Sequence, residues 1–315
     1  MQNRYTEPKP KHGSQEWLTA RWKNKNGETR VTASVAAAVH NEHKYTSMAD
    51  LAVELLSVTP PAPKEQNDAM KRGNYLEPTI LSWGGDALGT IISEPQELFC
   101  YEEDGVRLLA TIDGISIDGR VCEVKTYNKR WLGELPRYWY WQGVHQAICT
   151  DKPEIQWIIF DNQLEIHLHT QTVTSDEKQI HIDAVRRFLA AIDMGMIPEG
   201  ADPTYENAAT LYPLGEENTV VLGHEIYDTL ERLSLAREQK RAAEQIEEQL
   251  KGEIAMILQD CEYGAVDGTV VVSWKNSKRT SFDTKRFEAE HPALAAKFKK
   301  ETTFRTMRIV AKESK

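Results

Sequence analysis

Residues 106–128 (VRLLATIDGISIDGRVCEVKTYN) hold two apolar-rich runs, punctuated by the turn signals Asp113-Gly114 and Asp118-Gly119, and the pattern predicts a β-hairpin. Upstream, Ser14 suits the N-cap of a helix carrying Trp17, Leu18 and Arg21, with Glu16 in its first turn favouring the dipole. A short helix over residues 35–39 follows, for which Thr32 or Ser34 would supply the cap. Gly73 and Glu77, four apart, share one face of a further helix. There the glycine would allow a close approach to the sheet, and Pro78 predicts a kink or a helix start. After the hairpin, Tyr138, Trp139, Tyr140 and Trp141 lead into Gln142 on an aromatic helix whose rings cover the sheet. Residues 196–215 are Pro/Gly-punctuated and read as a boundary or an extended arm. Beyond it, apolar positions three or four apart over 224–259 predict an amphipathic helix or helical pair. Residues 268–274 read as a strand, 282–300 as short helices around Pro292, and 306–310 as the partner strand. Two domains are therefore expected, 1–215 and an appendage at 216–315.

Strand alternation turns the hairpin into chemistry. Glu123 and Lys125 project from one face while Cys122 and Val124 point the other way, and Thr111 and Asp113 share a face on the preceding strand. If the faces coincide, two carboxylates and an ammonium meet in one patch. Mg²⁺ is a hard cation that takes oxygen ligands and acidifies the water it holds. An adjacent lysine can orient that water and offset charge developing on a phosphate.

Aspartate, glutamate and lysine at this spacing resemble the core motif of the PD-(D/E)xK nuclease superfamily. Further segments narrow the resemblance: Gly13 to Trp17 with Arg21, then Val31-Thr32-Ala33-Ser34, then Arg72 to Pro78 before the hairpin, and Tyr140 to Gln146 after it. In this order, over about residues 12–215, the set resembles the phage lambda exonuclease family, also called YqaJ-type viral recombinases. The resemblance implies an α/β fold with a restriction-endonuclease-like core, a mixed β-sheet flanked by helices, to which this chain adds a C-terminal α+β appendage. It implies a Mg²⁺-dependent 5′→3′ exonuclease on double-stranded DNA ends, with Mn²⁺ as a substitute, leaving a 3′ single strand. Asp113, Glu123, the carbonyl of Val124 and Glu77 would hold metal, and Lys125 would position the water. Arg21, Thr32, Ser34 and Thr111 would grip the 5′-phosphate, and Gln142 would position substrate. The resemblance further implies a ring-shaped homotrimer and a single-strand annealing protein as partner, in the cytoplasm of a bacterium hosting a phage or prophage. The chain departs from the family pattern at Val144, where a second glutamine is usual, leaving His145 or Gln146 to compensate. It departs again at Ile112, where a proline is common.

Composition adjusts this picture. No apolar run approaches the ~18 residues of a membrane span, and the polar N-terminus carries no secretory signal. Cys100, Cys122, Cys149 and Cys261 have no metal or disulfide spacing, which speaks against iron–sulfur nucleases and for reduced thiols. The net charge of −10 is awkward for a DNA enzyme, but its distribution is uneven. Residues 1–30 hold seven Lys/Arg against three Asp/Glu, and residues 264–315 hold twelve against six. Two rivals remain at this level: a PD-(D/E)xK endonuclease or repair nuclease, and a non-catalytic DNA-end-binding scaffold.

Overall fold

A computed structural model describes residues 3–57 and 66–310, which fall into two compact units, Met1–Pro213 and Leu214–Lys315. The first runs β1 (Arg4–Pro8), α1 (Gln15–Trp22), β2 (Val31–Thr32), a 3-10 helix (Ala33–His40), α2 (Met48–Leu56), α3 (Asp68–Leu88) and β3 (Ile92–Ser93). It continues through β4 (Glu97–Glu103), β5 (Val106–Ala110), β6 (Gly114–Ser116), β7 (Val121–Thr126), α4 (Arg137–Thr150), β8 (Glu154–Phe160), β9 (Ile166–Thr172), α5 (Ser175–Asp193) and α6 (Tyr205–Leu211). Ser14 caps α1 by accepting the Trp17 N–H at 3.2 Å.

The fold is mixed α/β, carried by two mixed sheets. One has the order β1-β4-β5-β2, with β2 parallel to β5; the other has the order β3-β6-β7-β8-β9, with β7 parallel to β8. This corrects the single hairpin expected over 106–128. The first apolar run is divided between the sheets, with β5 in one and β6 in the other, and the chain crosses at Thr111-Ile112-Asp113. Asp113-Gly114 is not a turn. Ile112 is buried, and Gly114 begins β6 at a point where an added Cβ would run into Ile92 and come within 3.0 Å of Leu81 Cδ2. Only Asp118-Gly119 turns the chain, Gly119 taking φ +82°, and β6 then pairs antiparallel with β7.

Strand β7 is covered on both faces. Cys122 and Val124 pack with Ile80 and Leu81 of α3 and Ile158 of β8. The close approach of α3 falls at Gly84, where a Cβ would lie 2.6 Å from Ile158 Cδ1. At Gly73, the position expected to provide it, a Cβ would only touch Thr126 at 4.0 Å. Helix α3 starts at its Asn67 cap and contains Pro78, so the proline is not a helix start. The opposite side carries α4 and α5 over the larger core, where Trp139 stacks on Trp157 and on Trp131.

Three histidines fasten α4 in place. His40 Nε2 lies 2.9 Å from His181 Nδ1, His181 Nε2 lies 3.1 Å from His145 Nδ1, and His145 Nε2 lies 3.2 Å from the Leu109 carbonyl. A carbonyl only accepts, so His145 Nε2 carries a proton and its Nδ1 must accept. The same logic passes outward, putting a proton on Nε2 of all three rings and leaving His145 and His181 neutral.

In the second unit, α7 (Ile226–Leu258) is one continuous helix, followed by β10 (Tyr263–Val266), β11 (Thr269–Ser273), α8 (Thr284–Glu290) and α9 (Pro292–Phe298). The partner of β11 is β10, not residues 306–310, which form no strand. Asp267 and Gly268, both at positive φ, make the tight turn between the two strands. Cys100, Cys122 and Cys149 are buried, Cys261 is exposed, and all are free thiols.

The histidine chain makes stability depend on pH. Burial pushes His40 down to about 4 against the opposing Glu42, and pushes His145 down to about 3; His181 is likewise lowered. The unfolded chain, with histidines near 6.5, therefore takes up protons first on acidification. Stability should be complete above that value and fall between it and about 3. Thermal unfolding across this range should show the slope, and His181→Gln, which removes the central titrating ring, should flatten it. An unchanged slope would contradict the assignment.

Candidate active site

The buried carboxylate of Glu123, 3% exposed, organises the site. Its Oε1 lies 2.7 Å from Lys125 Nζ and also accepts the side-chain amide of Gln142. Its Oε2 accepts the Gln146 amide at 2.6 Å. Gln142 and Gln146 are four apart, hence on one face of α4, and that face lies on the Glu123 side of β7. Of the two residues expected to compensate at Val144, Gln146 is the one that reaches Glu123, while His145 turns away into the histidine chain. Its pairing was within reach of the sequence, because a helix aligns i with i+4 and not with i+2. Gln146 Oε1 is buried with no hydrogen-bond partner.

Asp113 stands where the chain leaves the crossover. Its Oδ2 accepts the Val124 N–H at 2.8 Å, on the edge of β7 beyond the last paired residue of β6. In an extended strand a residue's N–H and C=O leave by the same edge, which puts the Val124 carbonyl on Asp113's side. The Gln146 amide also donates to the Thr111 carbonyl at 3.3 Å, so the crossover is tied to α4.

Electrostatics binds the group together. The Asp113 carboxyl is raised well above its ordinary value, by burial first and then by the charges of Glu123 and Glu77, with Lys125 opposing. Glu77 on α3 is raised by burial and by Glu123. Lys125 is raised: burial works against its charge, but Glu123 and Asp113 outweigh it. Three carboxylates thus share one ammonium. A hard divalent cation fits this oxygen-rich set, and Asp113, Glu123, Glu77 and the Val124 carbonyl are the groups that would hold it.

The residues expected to grip a 5′-phosphate form a second cluster. Arg21 Nη2 donates to Ser34 Oγ at 2.7 Å and to Thr32 Oγ1 at 3.2 Å, and its guanidinium lies 4.5 Å from the Trp17 ring centroid. They line a cavity of about 410 Å³ with His12, Leu18 and Glu54. Burial lowers Arg21 to about 10, with Glu54 opposing, so it stays charged at neutral pH and its charge is costly there. Thr32 sits at the N-cap of the 3-10 helix but makes no side-chain cap bond, and Ser34 lies inside that helix. This corrects the expected hydroxyl cap, since both hydroxyls are turned to Arg21. Thr111 lies two residues past Leu109, the strand partner of Thr32, at the same end of the sheet.

A second acidic group, Asp161, Glu165 and His167, has ligand atoms close together. Asp161 is committed elsewhere. Oδ1 accepts the Gln163 and Glu165 N–H groups, and Oδ2 accepts that of Trp131 and lies 3.0 Å from His167 Nε2. The carboxylate anchors the turn between β8 and β9.

Raised carboxyls give signed expectations. An acid whose folded value is raised contributes stability at low pH that is lost as pH rises through that value. Mg²⁺ must displace protons from Asp113 and Glu77, so calorimetry should show tighter binding and a larger rise in melting temperature at alkaline than at acid pH. Gln146→Leu should weaken Mg²⁺ binding by about 10–100-fold. Binding indifferent to pH would contradict the assignment of these carboxyls as ligands.

Among the described residues no helix is long and apolar enough to cross a membrane. No curated protein matches the chain. Among solved structures it is similar to LHK-Exo, an alkaline exonuclease from Laribacter hongkongensis, at 22% identity over 57% of this chain and 93% of that one, with a TM-score of 0.47. It is also similar to a phage related exonuclease from Haemophilus somnus 129PT, at 13% identity over 53% and 96%, with a TM-score of 0.39. Residues 16–153 match the model of the YqaJ-like viral recombinase domain, a stretch that runs from α1 through α4 and holds Arg21, Glu77, Asp113, Glu123, Lys125 and both glutamines. Over this stretch, and through these residues, the chain is similar to the YqaJ-like viral recombinase domain.

Proposed function

We propose that this protein is a Mg²⁺-dependent 5′→3′ exonuclease that degrades one strand of a double-stranded DNA end and leaves a 3′ single-stranded overhang. The observation that carries this reading is the convergence of Asp113, Glu123 and Lys125 at β7, beside a separate arginine–hydroxyl pocket in the same unit. Residues 1–215 are assigned the nuclease and 216–315 an appendage outside the catalytic machinery. Mn²⁺ is expected to substitute for Mg²⁺.

The metal held by Asp113, Glu123, Glu77 and the Val124 carbonyl would supply Lewis acidity and an acidified water. Lys125 stays protonated beside Glu123 and Asp113, so Nζ can donate to the attacking water and offset charge on the scissile phosphate. Gln142 and Gln146 fix both oxygens of Glu123 and stop the carboxylate from rotating. Arg21, with Ser34 and Thr32 as neutral partners, is suited to a terminal 5′-phosphate, because an added dianion relieves a buried positive charge. End recognition of this kind would set polarity and disfavour internal cutting.

By the same reading the working form is a ring-shaped trimer around DNA. Its partner is a single-strand annealing protein that takes the exposed strand in the cytoplasm of a host carrying a phage or prophage. The test is substitution. Asp113→Ala or Lys125→Ala should abolish degradation of linear duplex while leaving the chain folded and DNA binding largely intact. Wild-type rates in either variant would place the chemistry elsewhere.

A further inference from the structure

Beyond Gln142 and Gln146, the same face of α4 carries Tyr138, one turn earlier. Its ring lies 6.3 Å from that of Tyr45 at 72°, and His43 lies 6.2 Å from each. Tyr45 is 74% exposed, so this contact buries little of its ring. The Lys44 ammonium stands 4.9 Å from the Tyr45 centroid. The Tyr138 hydroxyl is raised, by burial first and then by Tyr45. Lys44 and Lys125 oppose the shift, which puts both ammoniums within electrostatic reach of the ring.

The segment holding Tyr45 is fixed from below. His43 Nδ1 lies 3.2 Å from the Tyr45 nitrogen and 2.9 Å from that of Thr46, and so accepts from both N–H groups. Its Nε2 therefore carries the proton and donates to the Ser34 carbonyl at 3.2 Å. Ser34 is the residue whose hydroxyl takes the Arg21 guanidinium. One imidazole thus links an exposed tyrosine to the anion pocket, while that tyrosine leans on a ring from the helix that holds Glu123. The buried aromatics Trp139 and Trp157 are explained by the core, but an exposed ring pinned in this way adds nothing to it.

We propose that Tyr45 and Tyr138 form a stacking shelf for a nucleobase of the strand being degraded, between the Arg21 pocket and Lys125. This rests on the exonuclease reading and adds the contact that holds the base while phosphates are held at either side. Aromatic stacking suits such a site because every base offers a π-face, so grip does not depend on sequence. Lys44 adds a cation beside the shelf for the backbone.

The test uses the full-length protein and a 5′-phosphorylated single-stranded oligonucleotide carrying 2-aminopurine at successive positions from the 5′ end, with Ca²⁺ replacing Mg²⁺ to hold back cleavage. Wild type should quench the probe at one such position. Tyr45→Phe and Tyr138→Phe should keep that quenching. Tyr45→Ala or Tyr138→Ala should lose it and bind about tenfold more weakly. An oligonucleotide that is abasic at that position should bind wild type and alanine variants alike. Alanine variants that quench and bind as wild type overturn the shelf, as does a loss of equal size on the abasic strand. Since no hydrolysis is needed, a wild type that quenches but leaves duplex ends intact keeps the shelf and loses the nuclease. One that degrades ends without quenching loses the shelf alone.

Discussion

A carboxylate buried to 3% exposure is tolerated only when each of its oxygens is satisfied, and Glu123 sets that demand on everything around it. Lys125 from its own strand and two amides from α4 meet it. Helix α4 must therefore lie at one height and rotation on β7. The histidine chain secures this by fastening α4 to α5, to the 3-10 helix and to the Leu109 carbonyl on β5. On the reverse face α3 closes against Ile158 at Gly84, which seats β7 and brings Glu77 within reach of the same charges. The packing of unit Met1–Pro213 and the geometry of its acidic cluster are one constraint seen from two sides.

The division of β5 from β6 serves that cluster. A continuous strand would have kept Asp113 in a ladder, its backbone paired and its side chain fixed by alternation. The crossover frees it to accept the Val124 N–H from the open edge of β7, while the Thr111 carbonyl is tied to Gln146. The two clusters differ in character. Around β7, carboxylates exceed ammonium, a balance suited to a cation; around Arg21, a guanidinium rests on neutral hydroxyls and an aromatic face, suited to an anion. A net charge of −10 conceals this local contrast.

What the sequence revealed follows from periodicity. The strict alternation of strands put Glu123 and Lys125 opposite Cys122 and Val124, and the structure pairs the first two and buries the last two against α3. Ser14, with its helix and its cap, was equally plain because capping is local. The failures are tertiary. Nothing in VRLLATIDGIS marks where one sheet ends and the next begins, since the break depends on Ile112 finding the core and on Gly114 meeting Ile92 and Leu81. Thr32 reads as a cap residue, but a guanidinium eleven positions away takes its hydroxyl instead. The turn at Asp267-Gly268 carried the strongest short hairpin signal in the C-terminal unit, yet the apolar run of residues 306–310 drew the pairing away from it.

The central claim is that chemistry at Glu123 and Lys125 is directed to a DNA end by the pocket at Arg21. It is tested most directly by digesting a linear duplex labelled on one strand, in Mg²⁺, with 5′-phosphate and 5′-hydroxyl ends compared side by side. The account predicts metal-dependent loss of the 5′-phosphorylated strand, survival of its complement as a 3′ overhang, and markedly slower attack on the 5′-hydroxyl end. Internal cuts at equal rates on both substrates, or no cleavage in any divalent metal, would contradict it.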